Sequence, residues 1–459
     1  MTRHRILYTH YRVGKLDGVS IQAAAWRQIW EQLGAEVAFC AGPMSEGAEY
    51  QIENLEQQLY PPVFLVDEEA FGGFKTFKDE AEFCQAVREQ QDELRPAFEA
   101  VVKDFQPSHL VFGNIFSVGE HIAAPEALMS VLDSVQTPSV GVHHDFYWEG
   151  PRYHQPSAPY VKWILEEYCP PRRTYMAHAC INSLARGELR ARKGIQAGLM
   201  YDTLDFDQPP WQIDDYNHDL LQARGVEKND LVVLQATRIV RRKNIELAID
   251  LVSKLGARMA RGGKKRLATG KTFDPQHNRV WLVLASYAEN RDRGYQDLLL
   301  THAATQGINL LSVSDAISAA RYTPTGEIGK GYSLWDVYPQ ADLITFPSEY
   351  EGFGNQFLEA VYAKRPAVVF EYPVFRSDIK PKGFQIVSLG DCLSFNQDTL
   401  LVEIPAPTMD RAVDEVLALV QDRGRYQEMV EHNFQLAARH FSYQQTAERW
   451  RELLEQARR

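Results

Sequence analysis

Residues 348–360 read SEYEGFGNQFLEA. Just upstream, LITFPS (343–348) is a short apolar run closed by a proline. Downstream, Phe357, Leu358, Val361 and Tyr362 recur at helical spacing. The stretch therefore reads as the carboxyl end of a strand, a Gly-Phe-Gly turn and the opening of a helix laid on a sheet, which is the repeating joint of an α/β fold. Gly352 and Gly354 permit positive φ or a close backbone approach. At ~100° per residue, Glu359 falls roughly 130° from the centre of the apolar stripe, so it is expected off the core. Amides at a helix start, with the helix dipole, favour an anion. Glu351, ahead of the turn, is placed to accept hydrogen bonds from ligand hydroxyls. A tight turn with two solvated glutamates would carry the same letters.

Outward from this joint, the pattern recurs along the chain. In the first half, strands are expected at RILYTHY (5–11), AEVAFC (35–40), HLVFGNIF (109–116), PSVGVHH (138–144) and ACINS (179–183). In the second half they are expected at LVVLQA (231–236), VWLVLAS (280–286), INLLSVSD (308–315), LITFPS and PAVVFEY (366–372). Stretches such as Ile21–Leu33 and Asn244–Leu255 between them have helical spacing. Such alternation predicts α/β with parallel sheets, run twice. The polar stretch 206–230, with two prolines and no strand, is the expected linker. It separates a domain over 1–205 from one over 231–440, and a terminal helix over 441–459 could pack back on the first. Parallel sheets bind ligands at strand carboxyl ends, so two facing domains would hold one in a cleft.

Composition sets limits on function. The 459 residues suit two or three domains, and 45% hydrophobic with 24% charged residues is ordinary for globular chains. No apolar run approaches the ~20 residues of a membrane span, and MTRHRILYTHYRVG lacks a signal-peptide core. Five cysteines without metal-like spacing point to a reducing, cytoplasmic setting. The net charge of −12 argues against a nucleic-acid binder. A local basic site remains open to it. TRIVRRKN (237–244) follows LVVLQA with four cations in six residues, Arg238, Arg241, Arg242 and Lys243, at a helix start where positive charge is unfavourable without an anion. Arg and Lys there suit a diphosphate.

The pair R-x4-K (Arg238, Lys243) and E-x7-E (Glu351, Glu359), within PSEYEGFGNQFLEAVYAKRPAVV, resembles the family 4 glycosyltransferases, the retaining GT-B group that includes sucrose-phosphate and trehalose synthases. The resemblance implies two Rossmann-like domains facing across a cleft and transfer of a hexosyl group from a nucleotide-diphosphate sugar, of UDP-glucose or GDP-mannose type. It implies a small, hydroxyl-rich, sugar-like or glycerate-like acceptor, a front-face mechanism, and no metal or other cofactor. It assigns Glu351 to the donor sugar, Glu359 to the ribose, and Arg238 and Lys243 to the leaving diphosphate. Gly352, Phe353 and Gly354 would line the donor. In YRVGKLDGVS (11–20), Gly14 and Gly18 match the family's loop near the diphosphate and acceptor. In VGVHHDFYWEG (140–150), His144 matches a histidine lining the sugar pocket, with His143 as the alternative. Asp145, Tyr147 and Trp148 would meet the acceptor. The wording of these motifs is most similar to the branch making small glycosides such as mannosylglucosylglycerate.

Three departures stand out. VLASYAENRDRGY (283–295) has Ala-Ser where the family has a glycine-rich turn, and Asn355 replaces a common apolar residue. Segment 254–279, with eight basic residues and one acid, reads as an inserted, solvated loop or a membrane-surface patch. TGKT (269–272) lacks the glycine that a phosphate-binding loop needs at Lys265, DFD (205–207) sits beside prolines, and no G-x-G-x-x-G occurs. An epimerase or phosphorylase on the same architecture, or an inactive nucleotide-sugar binder, is the rival reading.

Overall fold

The computed structural model describes residues 4–14, 17–55, 60–286, 292–318, 320–322 and 330–458. The chain forms two compact units, one running to Thr203 and resumed from Tyr443, the other Leu204–Ser442.

In the first unit the elements are Arg5–Thr9 (β1), Gly18–Gln32 (α1), Glu36–Ala41 (β2), Tyr50–Gln51 (β3), Pro61–Glu69 (α2), Glu80–Phe105 (α3) and His109–Gly113 (β4). There follow Ala123–Val135 (α4), Ser139–His143 (β5), Pro159–Tyr168 (α5), Met176–Cys180 (β6), Ser183–Lys193 (α6) and Gly198–Leu199 (β7). Among the described residues, β3-β2-β1-β4-β5-β6-β7 make one parallel sheet. Strand order reverses between β1 and β4, the position where open α/β sheets take ligands. The strand expected at 179–183 begins three residues earlier, at Met176, because His178 is buried against His143 of the next strand rather than ending the run.

The second unit contains Leu231–Gln235 (β8), Ile245–Ala260 (α7), Lys265–Arg266 (β9), Thr272–Phe273 (β10), Val280–Leu284 (β11), Arg293–Gln306 (α8) and Asn309–Ser312 (β12). It continues with Ile317–Ser318 (β13), Tyr332–Ser333 (β14), Leu343–Phe346 (β15), Asn355–Tyr362 (α9), Ala367–Val369 (β16) and Val387–Ser388 (β17). Ser394–Asn396 (β18), Leu401–Glu403 (β19), Ala406–Gln421 (α10) and Arg423–Phe441 (α11) complete it. Its parallel sheet runs β12-β11-β8-β15-β16-β17. The reversal here lies between β8 and β15, whose register Ile344↔Leu234 brings their carboxyl ends side by side.

Apolar residues cover both faces of the first sheet. On one, Phe98, Leu128, Ile164 and neighbours come from α3, α4 and α5. On the other, Trp26 and Trp30 of α1 meet Trp450 of the last helix, Tyr443–Gln456 (α12), at ring distances of 5.4 and 4.7 Å. Burial of three indoles, beyond their area, explains why α12 belongs to this unit.

Two expectations are corrected. The stretch 206–230 is no free linker, since it packs on the second unit. Phe206 meets Phe434 at 5.3 Å, Trp211 meets Tyr362 at 4.6 Å, and Asn217 donates to Asp336 at 3.0 Å. Segment 254–279 is no loose inserted loop either. Its first residues finish α7 and the rest forms the β9–β10 hairpin. Leu267 and Phe273 are buried, Lys254 pairs with Asp410 at 2.8 Å, Arg258 pairs with Asp414, and Lys271 pairs with Asp342 at 2.7 Å. Three of its eight cations thus match carboxylates distant in sequence. Among the described residues no helix is long and apolar enough to cross a membrane.

Candidate functional site

In the second unit the strand-end loops after β8 and β15 meet. The first turns through a 3₁₀ segment, Arg241–Lys243, into Asn244, whose left-handed φ of 46° opens α7. The Asn244 side chain donates to the Pro347 carbonyl at 3.3 Å, and the Glu349 amide donates to the Arg242 carbonyl at 3.0 Å. These backbone ties hold Glu351 against the cations. Its carboxylate accepts from Lys243 Nζ and from Arg242 Nη1 at 3.0 Å. Burial pushes the Glu351 carboxyl up, but the charges of Lys243 and Arg242 outweigh this and hold it below the usual range. Burial lowers the Lys243 ammonium, against the upward pull of Glu351. The two groups are buried as a hydrogen-bonded pair. An ammonium has three protons, so Lys243 can serve Glu351 and a phosphate oxygen together.

The turn that follows is built around its glycines. Gly354 has φ of +135°, and a Cβ there would lie 2.2 Å from the Tyr372 hydroxyl, which donates to the Phe353 carbonyl at 2.6 Å. The Phe353 ring is buried against Phe441 at 5.2 Å, so only its backbone can face a donor. Gly352 is half-buried beside it.

Glu359 departs from its expected place. It is 7% exposed, as part of a helix buried from Gln356 to Tyr362, because Tyr338 reaches over it and donates to its carboxylate. Burial raises this carboxyl, against the downward effect of Tyr338 and then Lys243. The two glutamates of the motif therefore sit in opposite electrostatic settings.

Sequence reasoning missed Gln356. With its amide oxygen turned to the backbone, it accepts from the Ala236 and Thr237 amides at 2.7 and 3.2 Å, tying α9 to the loop that carries Arg238. A polar residue on the apolar face of an eight-residue helix was the available signal. Of the variant turn at 283–295, residues 287–291 lie outside the described residues.

In the first unit the candidates come from the ends of β1 and β5 and the loops after them. Gly14, φ +75°, lies so close to Glu46 that a Cβ would come within 2.4 Å of its backbone oxygen. Gly18 is the first residue of α1, which Asp17 caps by accepting from Ser20 N at 3.0 Å. Lys15 and Leu16 lie outside the described residues. The two adjacent histidines separate clearly. His143 hydrogen-bonds Ser117 Oγ through Nδ1 and His178 Nδ1 at 2.9 Å through Nε2, so both its ring nitrogens are engaged within the first unit. His144 is 7% exposed, yet among the described residues its Nε2 has no partner. Burial, then the nearby His10, lowers its imidazole to about 3, so it is neutral. Asp145 is exposed. Trp148 is stacked on Phe146 at 4.3 Å with the Arg192 guanidinium 5.4 Å from its centre, and Tyr147 is half-buried against its edge.

No family model matches the chain. Two curated relatives, both called mannosylglucosylglycerate synthase, are 35% identical to it. The Petrotoga mobilis protein aligns over 90% of this chain and 92% of its own, and the Thermotoga maritima protein over 95% and 96%. Among solved structures, sucrose-phosphate synthase from Thermosynechococcus elongatus superposes with a TM-score of 0.62 at 12% identity, covering 99% of each chain. Anabaena HepE in complex with UDP and glucose gives 0.59 at 12% identity, covering 99% of this chain and 100% of its own. These likenesses show the two-domain GT-B fold.

Proposed function

The chain belongs to the mannosylglucosylglycerate synthase family of glycosyltransferases, and from that membership we propose that it moves a hexosyl group, with retention, from a nucleotide-diphosphate sugar of GDP-mannose or UDP-glucose type to a small glycerate-like acceptor. The observation that carries this reading is the buried Glu351 held by Lys243 and Arg242 at the β8/β15 reversal. A carboxylate fixed in this way can accept hydrogen bonds from sugar hydroxyls, and those bonds strengthen as positive charge grows at the anomeric carbon. Lys243 and Arg238, with the amides opening α9, supply the positive field for the departing diphosphate, so no metal or other cofactor is required. Glu359 takes the ribose. Gly14 and Gly18 give the diphosphate close access to backbone, while His144, Asp145, Tyr147 and Trp148 serve the sugar and acceptor.

In the step itself the bond from the anomeric carbon to the phosphate oxygen breaks, and the acceptor oxygen bonds the same face. The acceptor's proton passes to the released phosphate oxygen. The setting is cytoplasmic, consistent with cysteines that are all free.

Incubation with a panel of nucleotide sugars, each with glycerate and hexosylglycerate, with and without chelator, tests the whole reading. Expected is a product of unchanged anomeric configuration by proton NMR, formed equally with chelator present. An inverted product, or activity abolished by chelator and restored only by Mg²⁺ or Mn²⁺, overturns the mechanism.

A further inference from the structure

A cavity of about 560 Å³ opens in the second unit at the amino ends of β15 and β16. Asp342 leads into β15 and Arg365 lies just ahead of β16, whereas Glu351 follows the carboxyl end of β15. The cavity is therefore at the opposite end of the sheet from the Glu351 site. Its walls come from the β9–β10 turn, from Lys364 and Arg365 after α9, and from Arg423, Tyr426 and Glu431 of α11.

Three cations line this space, and two of them lack a carboxylate partner among the described residues. Lys364 Nζ pairs with Glu431 at 2.6 Å. Arg365 commits its Nη atoms to backbone, donating to the Lys364 carbonyl at 3.2 Å and the Pro339 carbonyl at 3.0 Å. Its Nε is buried and, among the described residues, has no hydrogen-bond partner. The Tyr426 hydroxyl feels the Arg365 charge, but gives its own proton to the Asp342 carbonyl at 2.8 Å. Arg423 opens α11, where the helix dipole opposes a cation, and forms no ion pair among the described residues. Asp422, beside it in sequence, caps that helix by accepting from the Arg425 amide at 3.0 Å. The Asp342 carboxylate accepts from Lys271 at 2.7 Å and from Thr269 at 2.6 Å.

The chemistry selects the ligand class. A buried donor without an acceptor is costly, and an oxyanion entering the cavity would supply one. Guanidinium edges fit phosphate oxygens by paired N–H donors. Two unpaired guanidiniums match a dianion, and a phosphate monoester carries about −1.5 to −2 at pH 7. We propose that Arg365 and Arg423 hold the phosphate group of a small phosphate monoester, at a second site apart from Glu351. The rest of the cavity takes the organic part of the ester.

The test is calorimetry with glycerol phosphate on protein first saturated with UDP or GDP, whichever binds. The diphosphate site proposed at Lys243 is then filled. Expected is a separate binding event, weakened ~10–100-fold in Arg365→Gln and in Arg423→Gln and partly restored in Arg365→Lys. Unchanged nucleotide affinity shows that each variant is folded. Sulfate, which leaves the room for an organic part empty, should bind more weakly, and acetate, with one charge, more weakly still. No binding of glycerol phosphate, or binding that both glutamine variants leave intact, overturns the proposal. Sulfate held as tightly as the ester marks an adventitious anion site only, and overturns it too. If neither nucleotide binds, the functional reading fails. The arginine variants, checked for folding by circular dichroism, then decide this site with glycerol phosphate alone.

Discussion

At the carboxyl ends of β8 and β15 the charged side chains touch, Glu351 with Lys243 and Arg242, and all but Arg242 are buried. In the loops after β1 and β5 the pairs are open to solvent, Arg12 with Asp17 at 3.6 Å and Arg152 with Glu68 at 3.2 Å, and both arginines are more than a third exposed. Both places follow strand carboxyl ends of parallel sheets, so topology alone does not separate them. The contrast lies in preorganisation. A group that stabilises a transition state must be fixed before charge develops. A group that recognises a variable acceptor can wait in solvent and close on its ligand. Under the proposed function, the second unit meets the first requirement and the first unit the second.

Removing one charge from each region breaks the comparison most sharply. Lys243→Met leaves Glu351 buried with Arg242 alone, and should cost about 3 kcal/mol of stability in urea, with loss of nucleoside-diphosphate binding. Arg12→Gln should cost less than ~0.5 kcal/mol, as at other exposed positions. Equal losses would dissolve the distinction.

The glycines extend it. Gly354→Ala and Gly14→Ala should each cost ~1–3 kcal/mol, since both have positive φ and a Cβ clash. The obstacle at Gly354 is a hydroxyl, so adding Tyr372→Phe should recover part of that loss. The obstacle at Gly14 is the Glu46 backbone oxygen, which no side-chain change relieves.

The smallest effect is expected at Glu359. Its carboxyl is raised in the folded state, so it binds its proton more tightly there than when unfolded. The cost of ionising it is present at pH above the folded value and fades as pH falls through that value. Glu359→Gln keeps an acceptor for Tyr338 and should raise Tm slightly at pH 7, with the gain disappearing in acid. The same change should weaken donor binding by ~3–10-fold. A lower Tm at pH 7 would show that the buried carboxylate is not under strain.

What could be read from sequence follows the range of the interactions. Ten strands of the two sheets were legible because apolar runs and their spacing are local, while the two-residue strands β3, β7 and β17 are too short to carry such a pattern. The shared role of TRIVRRKN and SEYEGFG was legible only through the family resemblance. The burial of Glu359 was not, because it depends on Tyr338, which is brought over α9 by a separate turn. Segment 254–279 misled for the same reason. Three of its eight cations, Lys254, Arg258 and Lys271, are matched by Asp410, Asp414 and Asp342, and a count of local charge cannot see them. The wrapping of 206–230 rests on two aromatic anchors, Phe206 and Trp211, inside an otherwise polar stretch.

The role of Glu351 is the centre of the account. Glu351→Gln keeps the shape of the side chain and removes its charge, so the decisive quantity is kcat with saturating donor, measured beside calorimetric binding of the nucleoside diphosphate. The account predicts a fall in kcat equivalent to ~2–3 kcal/mol of lost transition-state stabilisation, with nucleotide affinity within a few-fold of wild type. An unchanged kcat in a folded, nucleotide-binding variant would contradict it.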